Sequence, residues 1–269
     1  METIQVFFLA VIQGLTEYLP ISSSAHLILP SQILGWPDQG LAFDVAVHLG
    51  SLVAVCLYFR HDLQRITTSF WAHIVHGKVS AESKLAWYLM LATIPVGLAG
   101  LLFDNFIENN LRSISVIALT TIVFGLLLGL VDKKGRHTLT MEKLNWRLAL
   151  WIGLAQVLAL IPGTSRSGIT ITAALALGFD RLSAARFSFL LAIPVIIMSG
   201  GYKGLQLISN EGHTVDWDAI LLGVGLSALT AFVCIHFFLA LVNRVGMMPF
   251  VWYRLILGGF LLTLVFNGA

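Results

Sequence analysis

The segment PGTSRSG at residues 162–168 interrupts a stretch of sequence that is otherwise apolar enough to lie in a membrane. Arg166, near its centre, is the only basic residue between Arg147 and Arg181. An arginine deep in a bilayer costs about 2.5–3.5 kcal/mol on insertion scales, so its position calls for a partner or a function. The small and hydroxylated neighbours expose backbone N–H groups ahead of a new helical run, as anion sites do. A buried guanidinium among such donors favours a phosphate ligand.

The composition places the rest of the chain in a membrane as well. Its 269 residues are 57% hydrophobic and 11% charged, whereas soluble domains carry about 25% charged residues. The apolar runs are continuous rather than alternating, which predicts transmembrane helices and not a barrel of strands. No basic stripe with interleaved aromatic residues occurs, so nucleic-acid binding is not supported.

Six runs are long enough to span the hydrocarbon core, which takes about 17–25 residues. They are residues 41–59, 85–103, 114–131, 187–205, 219–242 and 251–266. Two further regions, 4–34 and 147–178, are apolar at both ends but interrupted by proline and polar residues. Each is predicted to form two half-helices that meet at a break and enter and leave on one side of the membrane. Non-helical backbone is tolerated at that depth only where protein or water shelters it.

The two halves of the chain resemble each other. Residues 13–24 contain Gln13, then Pro20-Ile-Ser-Ser-Ser, and residues 156–167 contain Gln156, then Pro162-Gly-Thr-Ser-Arg-Ser. The stretch YLMLATIPV (88–96) likewise parallels FSFLLAIPV (187–195). Each half therefore combines one broken hairpin with three spans. Because three is an odd number, the second half lies upside down relative to the first.

The expected fold is an all-α polytopic membrane protein with an inverted-topology repeat. Each half is a re-entrant broken helix hairpin plus three transmembrane helices. Residues 1–269 form a single membrane domain, in which 1–132 is the first repeat and 147–269 the second. In such folds the functional site lies where the broken helices meet, near the midplane of the bilayer.

The distribution of charge orients this topology. Of the 16 basic residues, 13 fall in the segments 60–84, 132–147, 180–186 and 243–254, on the side opposite the N-terminus. By the positive-inside rule that side is cytoplasmic. Both termini and the mouth of the first hairpin then face outward.

The first break holds a second set of polar residues. Gln13 and Glu17 are four residues apart and share a helix face, and a carboxylate at that depth needs a partner, a metal ion or a proton. Serines after Pro20 can cap the next half-helix, and His26 falls on its first turn. Asp44, His48 and His236 lie in or near ordinary spans, and we assign them structural or headgroup roles.

Together the two breaks have the residues for phosphoryl transfer. The expected phosphate ligands are Ser22, Thr164, Ser165, Arg166 and Ser167. The expected catalytic residues are Glu17, Ser23, His26 and Arg166. Either Ser23 or His26 attacks phosphorus, and we prefer Ser23. Glu17 acts as general base or, with Gln13 nearby, holds a divalent cation. The alternative is a transporter or flippase for an anionic polyprenyl phosphate lipid, because broken helices in inverted repeats are typical of transporters.

The stretch QGLTEYLPISSSAHL (13–27) and the segment 162–168 together resemble the bacterial undecaprenyl-diphosphate phosphatases of the integral-membrane, bacitracin-resistance type. The resemblance covers essentially the whole chain. It implies hydrolysis of undecaprenyl diphosphate to undecaprenyl phosphate and inorganic phosphate, which recycles the lipid carrier for peptidoglycan and other envelope polymers. It also implies a place in the bacterial inner membrane, with a site open to the periplasmic face.

Matched by position, the family's functional residues are Glu17, Ser22, Ser23, His26, Ser165 and Arg166. Two positions depart from the family pattern. Gln13 stands where the first acid of a glutamate pair is usual, and Ala25 replaces the glycine before the histidine. The resemblance implies a divalent cation, Mg²⁺ or Ca²⁺, although Gln13 leaves one carboxylate for it instead of two. The lipid substrate and membrane lipids are the expected partners, and the sequence leaves a homodimer open.

Overall fold

Helices make up nearly all of the computed structural model, which describes residues 1–209 and 216–266. Within these residues it has one isolated β-bridge, between Leu139 and Phe179, and no strand. The helices are α1 (Thr3–Thr16), α2 (Ser23–Leu34), α3 (Gly40–Tyr58), α4 (Arg60–His76), α5 (Ala81–Asn110), α6 (Ile114–Lys134), α7 (Trp146–Gln156), α8 (Arg166–Ala176), α9 (Arg181–Ser209), α10 (Trp217–Val245) and α11 (Met248–Phe266). Short 3₁₀ turns occupy Met141–Lys143 and Val157–Leu160.

Six of these helices are long and apolar enough to cross a membrane, namely α3, α5, α6, α9, α10 and α11. Each coincides with one of the six predicted spans, so the prediction of an all-α polytopic membrane protein is confirmed. The structure also contains α4, in the segment 60–84 that was predicted only as a basic loop. Of its side chains only Ile66 is buried, and α4 packs against α5.

Both interrupted regions form pairs of short helices. The helices α1 and α2 have 14 and 12 residues, and α7 and α8 have 11 each. At about 1.5 Å per residue none of them crosses a hydrocarbon core of about 30 Å. The second helix of each pair follows a serine with positive φ, Ser22 at 73° and Ser165 at 72°. Such a backbone is uncommon for residues other than glycine, so the two breaks share an unusual turn.

The packing of the helices follows a pattern that relates the two halves. Helix α1 packs against α10 as α7 packs against α5, while α3 packs against α9 and α6 against α11. If each helix is replaced by its counterpart in the other half (α1 by α7, α3 by α9, α5 by α10, α6 by α11, and the reverse), this same set of contacts results. That exchange matches α5 with α10, whereas the similar stretches 88–96 and 187–195 match α5 with α9. The inverted repeat and its bounds therefore stay a prediction, which the packing and the shared turn support.

Small residues bring α1, α3 and α10 close together. A Cβ added to Gly14 would lie 2.6 Å from the carbonyl of Ser227, and one added to Gly50 would lie 2.5 Å from the carbonyl of Val224. The hydroxyls of Ser51 and Ser227 are 3.1 Å apart at the same contact. Small residues allow this approach in membranes, where close packing replaces the hydrophobic effect between helices. The contact fixes α1, and with it the first break, against the long helices.

Candidate functional site

An ion pair connects the two breaks. Arg166 Nη2 donates to Glu17 Oε1 at 2.9 Å, and the two side chains are 12% and 7% exposed. Glu17 caps the end of α1, and Arg166 is the first residue of α8. Buried charges persist when they are paired and hydrogen-bonded. The pair therefore joins the turn of the first break to the start of the second, and the residues predicted from the two breaks lie together.

The second oxygen of Glu17 accepts hydrogen bonds from its own break. Ser23 Oγ donates to Glu17 Oε2 at 2.8 Å, and Gln13 Nε2 donates to the same atom at 3.0 Å. A hydroxyl bonded to a carboxylate that an arginine orients has the arrangement of a nucleophile, its base and an orienting group. The structure thus places Ser23, at the first position of α2, where a nucleophile is expected.

Arg166 keeps donors for a ligand. Its Nη1 donates to the carbonyl of Ser188 at 3.2 Å, and its guanidinium carbon lies 5.8 Å from the ring centre of Tyr18. A guanidinium carries five N–H donors. Contacts to Glu17 and Ser188 use two of them within the described residues, so three remain for an anion.

His26 is engaged away from the Glu17–Arg166 pair. Its Nδ1 lies 2.7 Å from the carbonyl of Ser22, and its Nε2 is hydrogen-bonded to the hydroxyl of Tyr253. A carbonyl at Nδ1 assigns the proton to that nitrogen, so Nε2 accepts from the phenol. The two rings stack with centres 5.6 Å apart. Because both ring nitrogens are occupied, this geometry favours Ser23 over His26 as the nucleophile.

Two of the predicted phosphate ligands hold the breaks in place. Ser165 Oγ accepts from the N–H of Gly168 at 3.1 Å and so caps α8. Ser167 Oγ donates to the carbonyl of Leu19 at 2.8 Å, which is a second link between the breaks. Backbone N–H groups in the first turn of a helix have no partner within the helix and attract anions. The first turn of α8 therefore offers backbone donors, while these two hydroxyls shape the turn.

The other two predicted ligands differ in their surroundings. The hydroxyl of Thr164 is fully buried and has no hydrogen-bond partner among the described residues. Ser22 is also buried, and its Oγ lies 3.1 Å from the Oγ of Ser24, which is exposed. An unpaired buried hydroxyl is costly, so Thr164 retains a donor for a ligand.

His48 lies at the site, although its sequence context indicated a structural role. Its Nε2 is 3.7 Å from Glu17 Oε2, and its Nδ1 is 2.7 Å from the carbonyl of Asp44. The imidazole is 36% exposed, so it lines an accessible part of the site. No motif in the sequence places α3 beside the first break, and only the packing shows this proximity.

The prediction that Arg254 lies in a loop at 243–254 is wrong. Arg254 lies in α11 and is 0% exposed. It and the neighbouring Tyr253 contact the breaks, and the sequence analysis named neither as a site residue. A signal was present in both cases, since the apolar run 251–266 already contains them. An arginine inside such a run is expensive and faces protein, not lipid.

The residues that could hold a metal ion are few. Among the described residues no group of three or more His, Cys, Asp or Glu side chains converges for one. The nearest donors are Glu17 Oε2, His48 Nε2 and the amide oxygen of Gln13, which is buried and unpaired in the described structure. Mg²⁺ commonly binds one or two carboxylates together with substrate phosphates. These donors fit a cation that a phosphate ligand completes.

Comparison with known proteins gives matches along almost the full length of the chain. The family described as bacitracin resistance protein BacA matches residues 6–260, which include both breaks. The undecaprenyl-diphosphatase of Teredinibacter turnerae is 61% identical over 259 residues, covering 96% of this chain and 97% of that protein. The undecaprenyl-diphosphatase of Saccharophagus degradans is 58% identical over 265 residues, covering 98% and 99%. Undecaprenyl-diphosphatase 1 of Pseudoalteromonas translucida is 57% identical over 258 residues, covering 96% and 97%.

Substitutions in the buried ion pair test its contribution to the fold. Arg166→Met leaves Glu17 without its cation and is expected to lower the free energy of unfolding by about 3–5 kcal/mol. The double variant Glu17→Gln with Arg166→Met removes both charges and is expected to recover most of that loss. Thermal unfolding of the purified proteins in detergent measures both effects. A double variant no more stable than Arg166→Met would contradict direct pairing.

Proposed function

This chain belongs to the family of the bacitracin resistance protein BacA, and we propose that its two breaks form the site that hydrolyses undecaprenyl diphosphate. The products are undecaprenyl phosphate and inorganic phosphate, and the reaction returns the lipid carrier to the synthesis of peptidoglycan and related polymers. Bacitracin resistance goes with membership of this family. The proposal that the active site lies at the breaks rests on the hydrogen bond from Ser23 to Glu17, which is ion-paired with Arg166.

The charge of the site suits a diphosphate. Arg166 and Arg254 contribute two positive charges and Glu17 one negative charge, so the three groups sum to +1 (2 − 1). The first turns of α2 and α8 add partial positive charge from their free N–H groups. Ser23 is half-buried and Ser24 is exposed, which leaves the start of α2 open to an incoming headgroup. The isoprenoid tail then stays among lipids outside the site.

The first step of the reaction transfers the terminal phosphoryl group to Ser23. Ser23 Oγ attacks the terminal phosphorus and its proton passes to Glu17 Oε2, 2.8 Å away. The bond from that phosphorus to the bridging oxygen breaks, and undecaprenyl phosphate leaves with the proton returned by Glu17. Arg166 balances the negative charge on the phosphoryl oxygens. The intermediate is a phosphoserine.

The second step restores the enzyme. A water molecule gives a proton to Glu17 and attacks the phosphoserine, which releases inorganic phosphate and returns the proton to Ser23 Oγ. Both steps use the same carboxylate as base, so its orientation by Arg166 matters twice. Inside a site that excludes most water, such fixed charges act more strongly than they would in solution.

A divalent cation, Mg²⁺ or Ca²⁺, is part of the proposal. Glu17 and the Gln13 oxygen would hold it together with the diphosphate, and when bound it would neutralise phosphate oxygens. Gln13 is a neutral ligand, so binding in the absence of a phosphate is expected to be weak.

Transport of an anionic polyprenyl phosphate is the less favoured function. Short paired helices with positive N-termini would also bind such a lipid. Transport does not require a hydroxyl that donates to an ion-paired carboxylate, whereas the structure contains this contact between Ser23 and Glu17.

Replacing Ser23 tests the nucleophile. Ser23→Ala is expected to abolish phosphate release from undecaprenyl diphosphate and the trapping of acid-stable phosphoserine, because no other hydroxyl is bonded to Glu17 among the described residues. The matched control is Ser24→Ala, since Ser24 is adjacent and exposed and makes no contact with Glu17. Its turnover should stay near that of the unsubstituted protein. Label on His26 in the Ser23→Ala protein would instead support the imidazole.

Removal of divalent cations tests the cofactor. EDTA is expected to stop turnover, and addition of Mg²⁺ or Ca²⁺ should restore it. Isothermal titration should detect tight cation binding only when a non-hydrolysable diphosphate lipid is present, because the protein offers one carboxylate. Full activity in EDTA, with metal content verified, would remove the cation from the proposal.

Accessibility of the two faces tests the orientation. In a chain with Cys56 and Cys234 replaced by alanine, cysteine at the exposed Asn109 should react with an impermeant maleimide in intact spheroplasts. Cysteine at the exposed His76 should react only after lysis, because the basic segments are assigned to the cytoplasm. The reverse pattern would invert the proposed topology and place the mouth of the first hairpin inside.

A further inference from the structure

Among the described residues, Arg254 is hydrogen-bonded to backbone carbonyls alone. Its Nε donates to Thr121, its Nη1 to Pro20 and Thr164, and its Nη2 to Thr120 and Gly163. The distances are 3.0, 3.2, 2.9, 3.4 and 2.9 Å in that order. A guanidinium has five N–H donors, and these five carbonyls use the full set. Arg254 therefore has no donor left for a substrate.

The carbonyls come from both breaks and from the helix between them. Pro20 belongs to the first break, Gly163 and Thr164 belong to the second, and the other two carbonyls belong to α6. The three carbonyls of the breaks lack helical partners because the chain leaves the helix there, whereas the two carbonyls of α6 lie inside a continuous helix. In lipid each unsatisfied carbonyl costs several kcal/mol. The side chain of Arg254 on α11 donates to such carbonyls where both half-helix pairs are interrupted.

The charge of Arg254 is not needed for packing. Among the described residues it forms no ion pair with a carboxylate, unlike Arg166, Arg181 and Arg186. A buried cation without a counter-ion is costly, but an apolar residue at this position would leave five carbonyls without these donors. Retaining an arginine therefore points to the geometry that it imposes on the carbonyls.

That geometry directs a backbone donor away from Arg254. In a planar trans peptide the N–H points opposite to the carbonyl, and no cis peptide occurs in the described residues. The carbonyl of Thr164 accepts from Arg254, so the N–H of Ser165 points to the opposite side. Ser165 is followed directly by Arg166, and its N–H has no acceptor among the described residues.

We propose that Arg254 is a positioning residue for the hydrolysis: it clamps the carbonyls of Pro20, Gly163 and Thr164, which sets the distance between the breaks and aims the Ser165 N–H at the phosphate. This inference rests on the function proposed above and deepens it. Arg254 acts through the backbone and does not touch the substrate. A third element, α11, is thus part of the catalytic architecture alongside the two breaks.

Lysine at this position tests the clamp. Arg254→Lys keeps the charge but loses the planar fork, so it can hold three carbonyls at most. A misplacement of about 1 Å in a catalytic group costs about 100-fold in rate, and a kcat loss of that order is expected. The affinity for inorganic phosphate, measured by thermal shift of the folded protein, should fall as well, since an aimed N–H is lost.

The matched control is Arg181→Lys. Arg181 forms a bidentate pair with Asp132, which also accepts from the N–H of Met247, and so secures α6 and the start of α11. It makes no contact with either break in the described structure. Arg181→Lys should lower the melting temperature while leaving kcat per folded molecule and phosphate affinity unchanged.

Two glycines of α6 provide a milder test should Arg254→Lys fail to fold. A Cβ on Gly125 would lie 3.0 Å from the Cβ of Arg254, whereas a Cβ on Gly129 would lie 3.1 Å from Val251 on the same face of α11. Gly125→Ala and Gly129→Ala therefore bring the added methyl group to a similar distance from α11. Gly125→Ala should reduce kcat and phosphate affinity severalfold, and Gly129→Ala should leave both unchanged.

The outcomes separate this inference from the proposed function. If the unsubstituted protein releases phosphate and Arg254→Lys or Gly125→Ala matches it in kcat and phosphate affinity, the positioning role is overturned. Equal losses in Gly125→Ala and Gly129→Ala would overturn it too, because they would show general crowding. If the unsubstituted protein releases no phosphate from undecaprenyl diphosphate, the proposed function fails, whatever the variants do.

Discussion

A chain that stops being helical inside a bilayer must find partners for the backbone groups that it frees, and this requirement governs the structure. The carbonyls of the first break are held by Ser167 and Arg254, and those of the second by Arg254 and by the threonines of α6. Lipid has no donors that could replace these groups. The arrangement of α6, α8 and α11 around the breaks follows from the need to bring side-chain donors to them.

The side chains that donate to the carbonyls of the breaks also contribute to the charge of the site. At the peptide between Thr164 and Ser165, the carbonyl accepts from Arg254, and the N–H on the opposite side has no acceptor among the described residues. Arg166 pairs with Glu17, Arg254 contacts both breaks, and the first turns of two helices add to their positive charge. An anion is favoured there before any specific contact is considered. Catalysis adds the bond from Ser23 to Glu17, which an anion-binding site would not require.

The sequence alone predicted the features that depend on local pattern. Hydropathy predicted the six spans because each run is long and uniform. The clusters of proline with neighbouring serine, threonine and charged residues predicted the breaks because such clusters interrupt an apolar run. Glu17 and Arg166 stood out because a charge at that depth is rare. The contacts of His48 and Tyr253 with the site depend on how distant helices pack, which no local pattern encodes. Arg254 was misassigned because its position near the start of an apolar run suits a loop as well as a buried clamp, and α4 was missed because its composition resembles that of a basic loop.

The two breaks share a turn at a serine of positive φ, but the residue that follows is a hydroxyl in one and a guanidinium in the other. Two identical halves would present either two hydroxyls or two guanidinium groups at the site. In the proposed mechanism, cleavage depends on the difference between these two positions and not on the turn that the two breaks share. On the proposed mechanism, a protein with this architecture that keeps Arg166 but lacks the hydroxyl of Ser23 would retain the means to hold a phosphorylated lipid and lose the means to cut it. Among proteins that share this fold, we expect the fold to indicate which ligand is bound. The residues that follow the two serines of positive φ should indicate whether that ligand is hydrolysed.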